Sequence, residues 1–134
     1  MIKFSDFCSK LNCTFTDSDR KSCLPLIKKI ENYAIIASKR GLLAICDPLE
    51  NEDDKFLKMA LSLLTDAIES NEVAEILMST IITDQPKGAE LLKKIIVIRG
   101  IMCFVDGKNY RVDTSKPPLI KKTLYAMCMG IAVE

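Results

Sequence analysis

The sequence predicts an all-α fold, a compact bundle of about five helices in a single domain that spans residues 1–134. Apolar residues recur at helical spacing along most of the chain, as in Ile27, Ile30, Ala34 and Ala37. The chain has 134 residues, of which 49% are hydrophobic, which is enough apolar material for one core. We expect residues 1–21 to be loosely patterned and residues 22–134 to form the helical core.

The first part of the chain is predicted to contain a turn-rich connection and then a long helix. After one short helix, turns are favoured by the polar residues Thr14, Thr16, Asp17, Ser18 and Asp19. A helix is expected to start at Ser22, because Pro25 then falls in the first turn, where its missing N–H is not needed. Its apolar pattern continues to about Cys46, where Asp47 and Pro48 indicate its end.

Two further helices are predicted in the middle of the chain. Asp53 or Asp54 can cap the first of them by accepting free backbone N–H groups, and Asn71 can cap the second. The apolar stripe of the first helix includes Phe56, Ala60, Leu63, Leu64 and Ala67. The inner face of the second is predicted to comprise Val73, Ile76, Leu77 and Ile81, before residues 84–87 interrupt the pattern.

Residues 88–112 favour two different structures. Apolar residues at positions 91, 95, 98, 102 and 105 keep helical spacing, whereas the β-branched run at 95–98 also suits a strand. The pair Asp106-Gly107 is typical of the turn in a β-hairpin. The alternative to the all-α fold is therefore a small α+β regulatory or ligand-binding domain with a β-hairpin at 95–112. In either case, a final helix is expected from Pro117 to about Gly130.

Charge and hydropathy exclude several classes of protein. With 19 Lys and Arg against 18 Asp and Glu, the net charge is +1, so we expect no nucleic-acid partner. Apolar runs such as 95–98 and 101–105 are much shorter than the roughly 18 residues that a membrane span needs. The N-terminus has no apolar signal segment, so the expected location is the cytoplasm.

The residues that carry most chemistry are missing or scattered. The chain has no histidine, which is the commonest general base and zinc ligand. The six cysteines are widely spaced, and Cys46, Cys103 and Cys128 lie in apolar stretches that favour a core position. We therefore predict no enzymatic activity, no catalytic residue, no cofactor and no metal site. An acidic cluster at positions 47, 50, 52, 53 and 54 can hold a cation or meet a basic partner, or it is a solvated linker that caps a helix.

A short motif occurs twice. Residues 40–47 begin with Arg-Gly and end with Asp after five apolar residues, and residues 99–106 repeat that pattern. A glycine at the same point in two helices would let another backbone approach closely, so the two copies are predicted to pack about a pseudo-twofold axis. Chance similarity between two apolar runs is the alternative.

Residues 41–45, 53–61, 63–66 and 72–81 together resemble, in order and spacing, the cytoplasmic segment of MotA, the stator protein of the flagellar motor in the MotA/TolQ/ExbB-like family. The second copy is similar to a later MotA segment in which Gly-x-Asn-x-Arg follows the apolar stretch, here Gly107, Asn109 and Arg111. The resemblance implies a helical scaffold in which residues 88–105 are helical.

The differences from the family limit what the resemblance implies. An arginine usually stands three residues before the first glycine and a glutamate five after it, whereas this sequence has Ser38 and Cys46. Because the membrane helices of the family are also missing, we expect no ion channel. The resemblance instead implies a protein-interaction domain at the inner face of the membrane, a monomer or homodimer that binds flagellar rotor or stator components. The candidate partner contacts are Arg40, Asp47, Arg99 and Asp106.

Overall fold

The computed structural model describes residues 4–9, 11 and 15–105, and all regular elements in these residues are helices. The helices are α1 (Phe4–Ser9), α2 (Asp17–Ser22), α3 (Leu24–Arg40), a 3-10 helix (Leu42–Ile45), α4 (Cys46–Leu49), α5 (Lys55–Thr65), α6 (Ser70–Asp84) and α7 (Gly88–Val105). The predicted all-α class is confirmed.

The core is centred on α7, which packs against α2, α3, α5 and α6. All four residues at 95–98 are buried, as are Leu91, Leu92 and Ile101. A helix surrounded by neighbours is apolar on every side, which explains why the sequence of this segment also suited a strand. The alternative β-hairpin is wrong for residues 95–105, which belong to α7. The rest of that hairpin, at 106–112, and the predicted final helix lie outside the described residues.

Part of the turn-rich connection predicted at residues 14–19 is a helix instead, because α2 begins at Asp17. Thr14 lies outside the described residues. Thr16 Oγ1 accepts a hydrogen bond from Asp19 N at 3.1 Å, and Thr16 N donates to Asp19 Oδ2 at 3.0 Å. This reciprocal pair is a capping box, which satisfies two backbone donors at the start of α2. The polar residues that indicated a turn therefore begin a helix, and α2 packs against α3 and α7.

The long helix α3 ends at Gly41, not near Cys46 as predicted. Gly41 has φ +92°, a conformation that favours glycine, and its N–H donates to Ala37 O at 2.9 Å. The chain then continues as the 3-10 helix, whereas the second copy of the motif runs through Gly100 inside α7. A Cβ atom added at Gly41 would meet no atom within 4 Å, so the close backbone approach predicted at this glycine is wrong.

Local hydrogen bonds fix both ends of α5. Asp54 caps α5 as predicted, since its carboxylate accepts from Leu57 N at 3.1 Å. At the other end, Ala67 N donates to Leu64 O and Ile68 N to Leu63 O, which is a Schellman motif. The cap predicted at Asn71 is wrong, because α6 begins at Ser70 without a side-chain cap.

Candidate protein-interaction corner

The chain turns sharply between α3 and α4, and we call residues 40–47 the Gly41 corner. Arg40, Cys46 and Asp47 are exposed there. Leu43 is 69% exposed, more than any other large hydrophobic side chain in the described residues. The corner therefore presents one apolar side chain between a cation and an anion. This combination suits contact with another protein, in which a desolvated anchor is surrounded by polar groups.

Buried side chains hold the Gly41 corner against the rest of the molecule. Ile45 is fully buried and Leu49 is 4% exposed. Through these residues the 3-10 helix packs on α3, and α4 packs on α5. Leu43 is thus exposed on a segment that the buried side chain of Ile45 anchors in the core.

A polar network ties the segment after the corner back to α3. The carboxylate of Glu52 accepts three hydrogen bonds, each of 2.9 Å: Oε2 accepts from Lys29 Nζ and from Asp54 N, and Oε1 accepts from the Tyr33 hydroxyl. Lys29 Nζ also lies 2.8 Å from Asp53 Oδ1. Lys29 and Tyr33 are one turn apart on α3, so both can reach Glu52. The stretch of chain between Tyr33 and Glu52, which contains the whole Gly41 corner, is therefore held at both ends.

The network shifts the pKa of each of its members. Burial alone would raise the pKa of Glu52, but the hydrogen bonds from Asp54 N, Lys29 and Tyr33 outweigh it and hold that pKa below its ordinary value. Hydrogen bonds to Asp53 and Glu52 raise the pKa of Lys29. Burial, followed by the hydrogen bond to Glu52, raises the pKa of Tyr33. At neutral pH the Glu52 carboxylate is therefore charged and both donors keep their protons.

Of the four predicted contact residues, the structure places two in one exposed segment. Arg40 ends α3 and Asp47 lies on α4, both exposed in the Gly41 corner. Arg99 is half-buried on α7, and Asp106 lies outside the described residues. The sequence analysis missed Leu43, because an apolar residue in an apolar run is expected in the core. The sequence feature that could have indicated the exposure of Leu43 is Gly41, because it ends the helix and changes the direction of the side chains that follow.

The structure also describes the acidic cluster and the cysteines Cys23 and Cys46. Within the described part of the chain, no group of three potential ligands could hold a metal ion. The cation at Glu52 and Asp53 is the protein's own Lys29 ammonium group. Cys46 is exposed, so its predicted core position is wrong, whereas Cys23 is fully buried.

No family model, curated protein or solved structure matches this chain. The likeness to the MotA cytoplasmic segment therefore depends on the residues of the sequence alone. Across residues 4–9, 11 and 15–105, no helix is long and apolar enough to cross a membrane.

Proposed function

We propose that this chain is a non-catalytic protein-interaction domain that binds its partner through the Gly41 corner. The observation that carries the proposal is the exposure of Leu43 between Arg40 and Asp47 on a segment held by the core. Leaving a large apolar side chain in water does not stabilise the monomer, whereas burying it in an interface contributes about 1.5–3 kcal/mol.

The rigidity of the corner supports this role. Ile45 anchors it from within the core, and Glu52 fixes its C-terminal end to α3. A segment that is already ordered before binding loses less conformational entropy when the partner arrives. The corner therefore suits a specific contact better than a flexible loop would.

The resemblance to MotA indicates the kind of partner. In that family the matching segment lies at the inner face of the membrane and contacts other motor proteins. We therefore propose a cytoplasmic location and a partner among the flagellar rotor or stator components. In this chain, the charged side chains that would make such a contact are those of Arg40 and Asp47.

An affinity pull-down from the native cell tests this proposal, with the tagged chain as bait and rotor and stator proteins quantified by mass spectrometry. We expect their recovery with the wild-type chain and its loss with Leu43→Ser and with the charge reversals Arg40→Glu and Asp47→Lys. The matched control is Leu24→Ser, because Leu24 is also an exposed leucine, at the opposite end of α3.

Protection of Cys46 from alkylation provides an independent measurement at the same corner. The thiol is exposed in the free protein, so a partner that covers the corner should slow its reaction with a maleimide. Recovery of no motor protein would contradict the motor assignment. Recovery that is equal for the wild-type, Leu43→Ser and Leu24→Ser chains would instead show that the contact lies elsewhere.

A further inference from the structure

A second surface on the molecule lies along the outer face of α6, which we call the α6 face. The residues of this face are exposed or half-buried and comprise Glu72, Glu75, Ile76, Ser79, Thr80, Ile82 and Thr83. Ile76 is 41% exposed and Ile82 is 56% exposed. Ile76 was expected on the inner face of the helix, and its exposure corrects that prediction. Two large apolar side chains, about 120° apart around the outer side of α6, are thus in contact with solvent.

The hydroxyl groups on the α6 face already have acceptors within α6. Ser79 Oγ donates to Glu75 O at 2.9 Å, Thr80 Oγ1 to Leu77 O at 2.7 Å, and Thr83 Oγ1 to Ser79 O at 3.1 Å. A partner that covers them therefore leaves no hydroxyl donor unsatisfied, so the cost of desolvating this strip is low. The side chains are also small, and together with Ile76 and Asp84 they line a shallow depression into which a partner's larger side chains fit.

The ionisable side chains of α6 itself are all acidic. From position 59 to position 86 the sequence contains no lysine or arginine, but it contains the five carboxylates of Asp66, Glu69, Glu72, Glu75 and Asp84. Glu72 and Asp84 are exposed near the two ends of α6, and neither forms a salt bridge with any described residue. The apolar strip therefore lies beside carboxylates that form no salt bridge with any described residue.

We infer that the α6 face is a docking site for a basic amphipathic helix of a partner protein. The apolar residues of such a helix would cover Ile76 and Ile82, and its lysines or arginines would meet Glu72, Glu75 and Asp84. An acidic or uncharged helix of the same shape would bury the isoleucines but leave the carboxylates unpaired, which disfavours it. This surface is distinct from the Gly41 corner, so the inference does not depend on the proposed motor contact.

A nuclear magnetic resonance titration of the full chain with labelled isoleucine methyl groups tests the inference. The probe is a designed helical peptide of about 20 residues with a leucine stripe flanked by lysines, a length at which isolated helices form. Its matched control is the same peptide with every lysine replaced by glutamate. We expect the lysine peptide to shift the methyl signals of Ile76 and Ile82, and the glutamate peptide to leave them unchanged.

Variants separate the contributions of apolar surface and charge. The double variant Ile76→Ser/Ile82→Ser and the double variant Glu72→Lys/Asp84→Lys should each weaken binding of the lysine peptide at least about tenfold, the fold-change that corresponds to about 1.4 kcal/mol. Because all four positions are exposed, circular dichroism should show an unchanged fold. Binding should also weaken as salt is added, since the carboxylates are in contact with solvent.

Three outcomes would overturn the inference. Equal binding of the lysine and glutamate peptides would show that apolar contact acts without charge recognition. Shifts of Ile76 and Ile82 on dilution of the protein alone would show that a second copy of the chain covers the α6 face. Finally, the variant Leu43→Ser should bind the lysine peptide normally, and a loss there would place the peptide at the Gly41 corner instead.

Discussion

The hydroxyl group of Tyr33 donates a 2.9 Å hydrogen bond to Oε1 of Glu52, and this bond joins α3 to the connection between α4 and α5. The Glu52 side chain is 5% exposed and Tyr33 is 7% exposed, so neither partner has water as an easy substitute. The bond therefore links the stability of the fold to the position of the Gly41 corner.

Removal of the Glu52 carboxylate should destabilise the protein. We expect Glu52→Ala to lower the free energy of unfolding by about 2 kcal/mol, because the Tyr33 hydroxyl and Asp54 N–H lose their acceptor. Urea denaturation followed by circular dichroism measures this change. The control is Asp53→Asn, which should have little effect because the Asp53 side chain is 89% exposed.

A double-mutant cycle tests whether the Tyr33 hydroxyl acts through Glu52. If it does, Tyr33→Phe should cost clearly less in the Glu52→Ala background than in the wild-type protein. Equal costs in both backgrounds would mean that the hydroxyl stabilises the protein by another contact.

Acid should weaken the fold through the same carboxylate. The pKa of Glu52 is lower in the folded protein than its ordinary value of 4.5, so the folded state favours the charged form. The stability from this shift is fully present above about pH 4.5 and is lost as the pH falls toward the folded pKa. Glu52→Gln should therefore flatten the dependence of the urea midpoint on pH below 4.5. Glu50→Gln makes the same charge change at an exposed position and serves as the control for the loss of one acidic side chain.

The sequence was sufficient for the fold class but not for the surfaces. The apolar spacing of α3 and the helix cap at Asp54 both depend only on residues that are close in the sequence. Both were predicted. The end of α3 was misplaced because an apolar run continues past Gly41, and only the φ of +92° shows that the helix stops there. Contacts between distant residues, such as Lys29 with Glu52, depend on tertiary packing, which no local pattern contains.

Thiol reactivity should distinguish Cys46 from Cys23, which differ in exposure more than any other two described cysteines. Cys46 is exposed in the Gly41 corner, whereas Cys23 is fully buried and its Sγ lies 3.4 Å from Asp19 O. We expect a maleimide to modify Cys46 in the native protein much faster than Cys23, because the reagent must reach the sulfur. Peptide mapping by mass spectrometry measures both rates, and denaturation in urea should make them similar. Similar rates in the native state would contradict the burial of Cys23.

Ala67, the second residue after α5, offers a way to stabilise the protein without changing its core. Ala67 has φ +65°, occupies the Schellman position that usually carries glycine, and is exposed. A left-handed conformation costs a residue with a Cβ atom roughly 1–2 kcal/mol, whereas glycine adds somewhat less than 1 kcal/mol of entropy to the unfolded chain. Ala67→Gly should therefore raise the free energy of unfolding by up to about 1 kcal/mol.

The matched control is Ala60→Gly, one alanine earlier on α5. Ala60 is fully buried inside the helix, so the same substitution there should destabilise the protein by about 1 kcal/mol or more. Urea denaturation of the two variants should thus give midpoints on opposite sides of the wild-type value. A lower midpoint for Ala67→Gly would mean that the methyl group of Ala67 contributes more to packing than its exposure indicates.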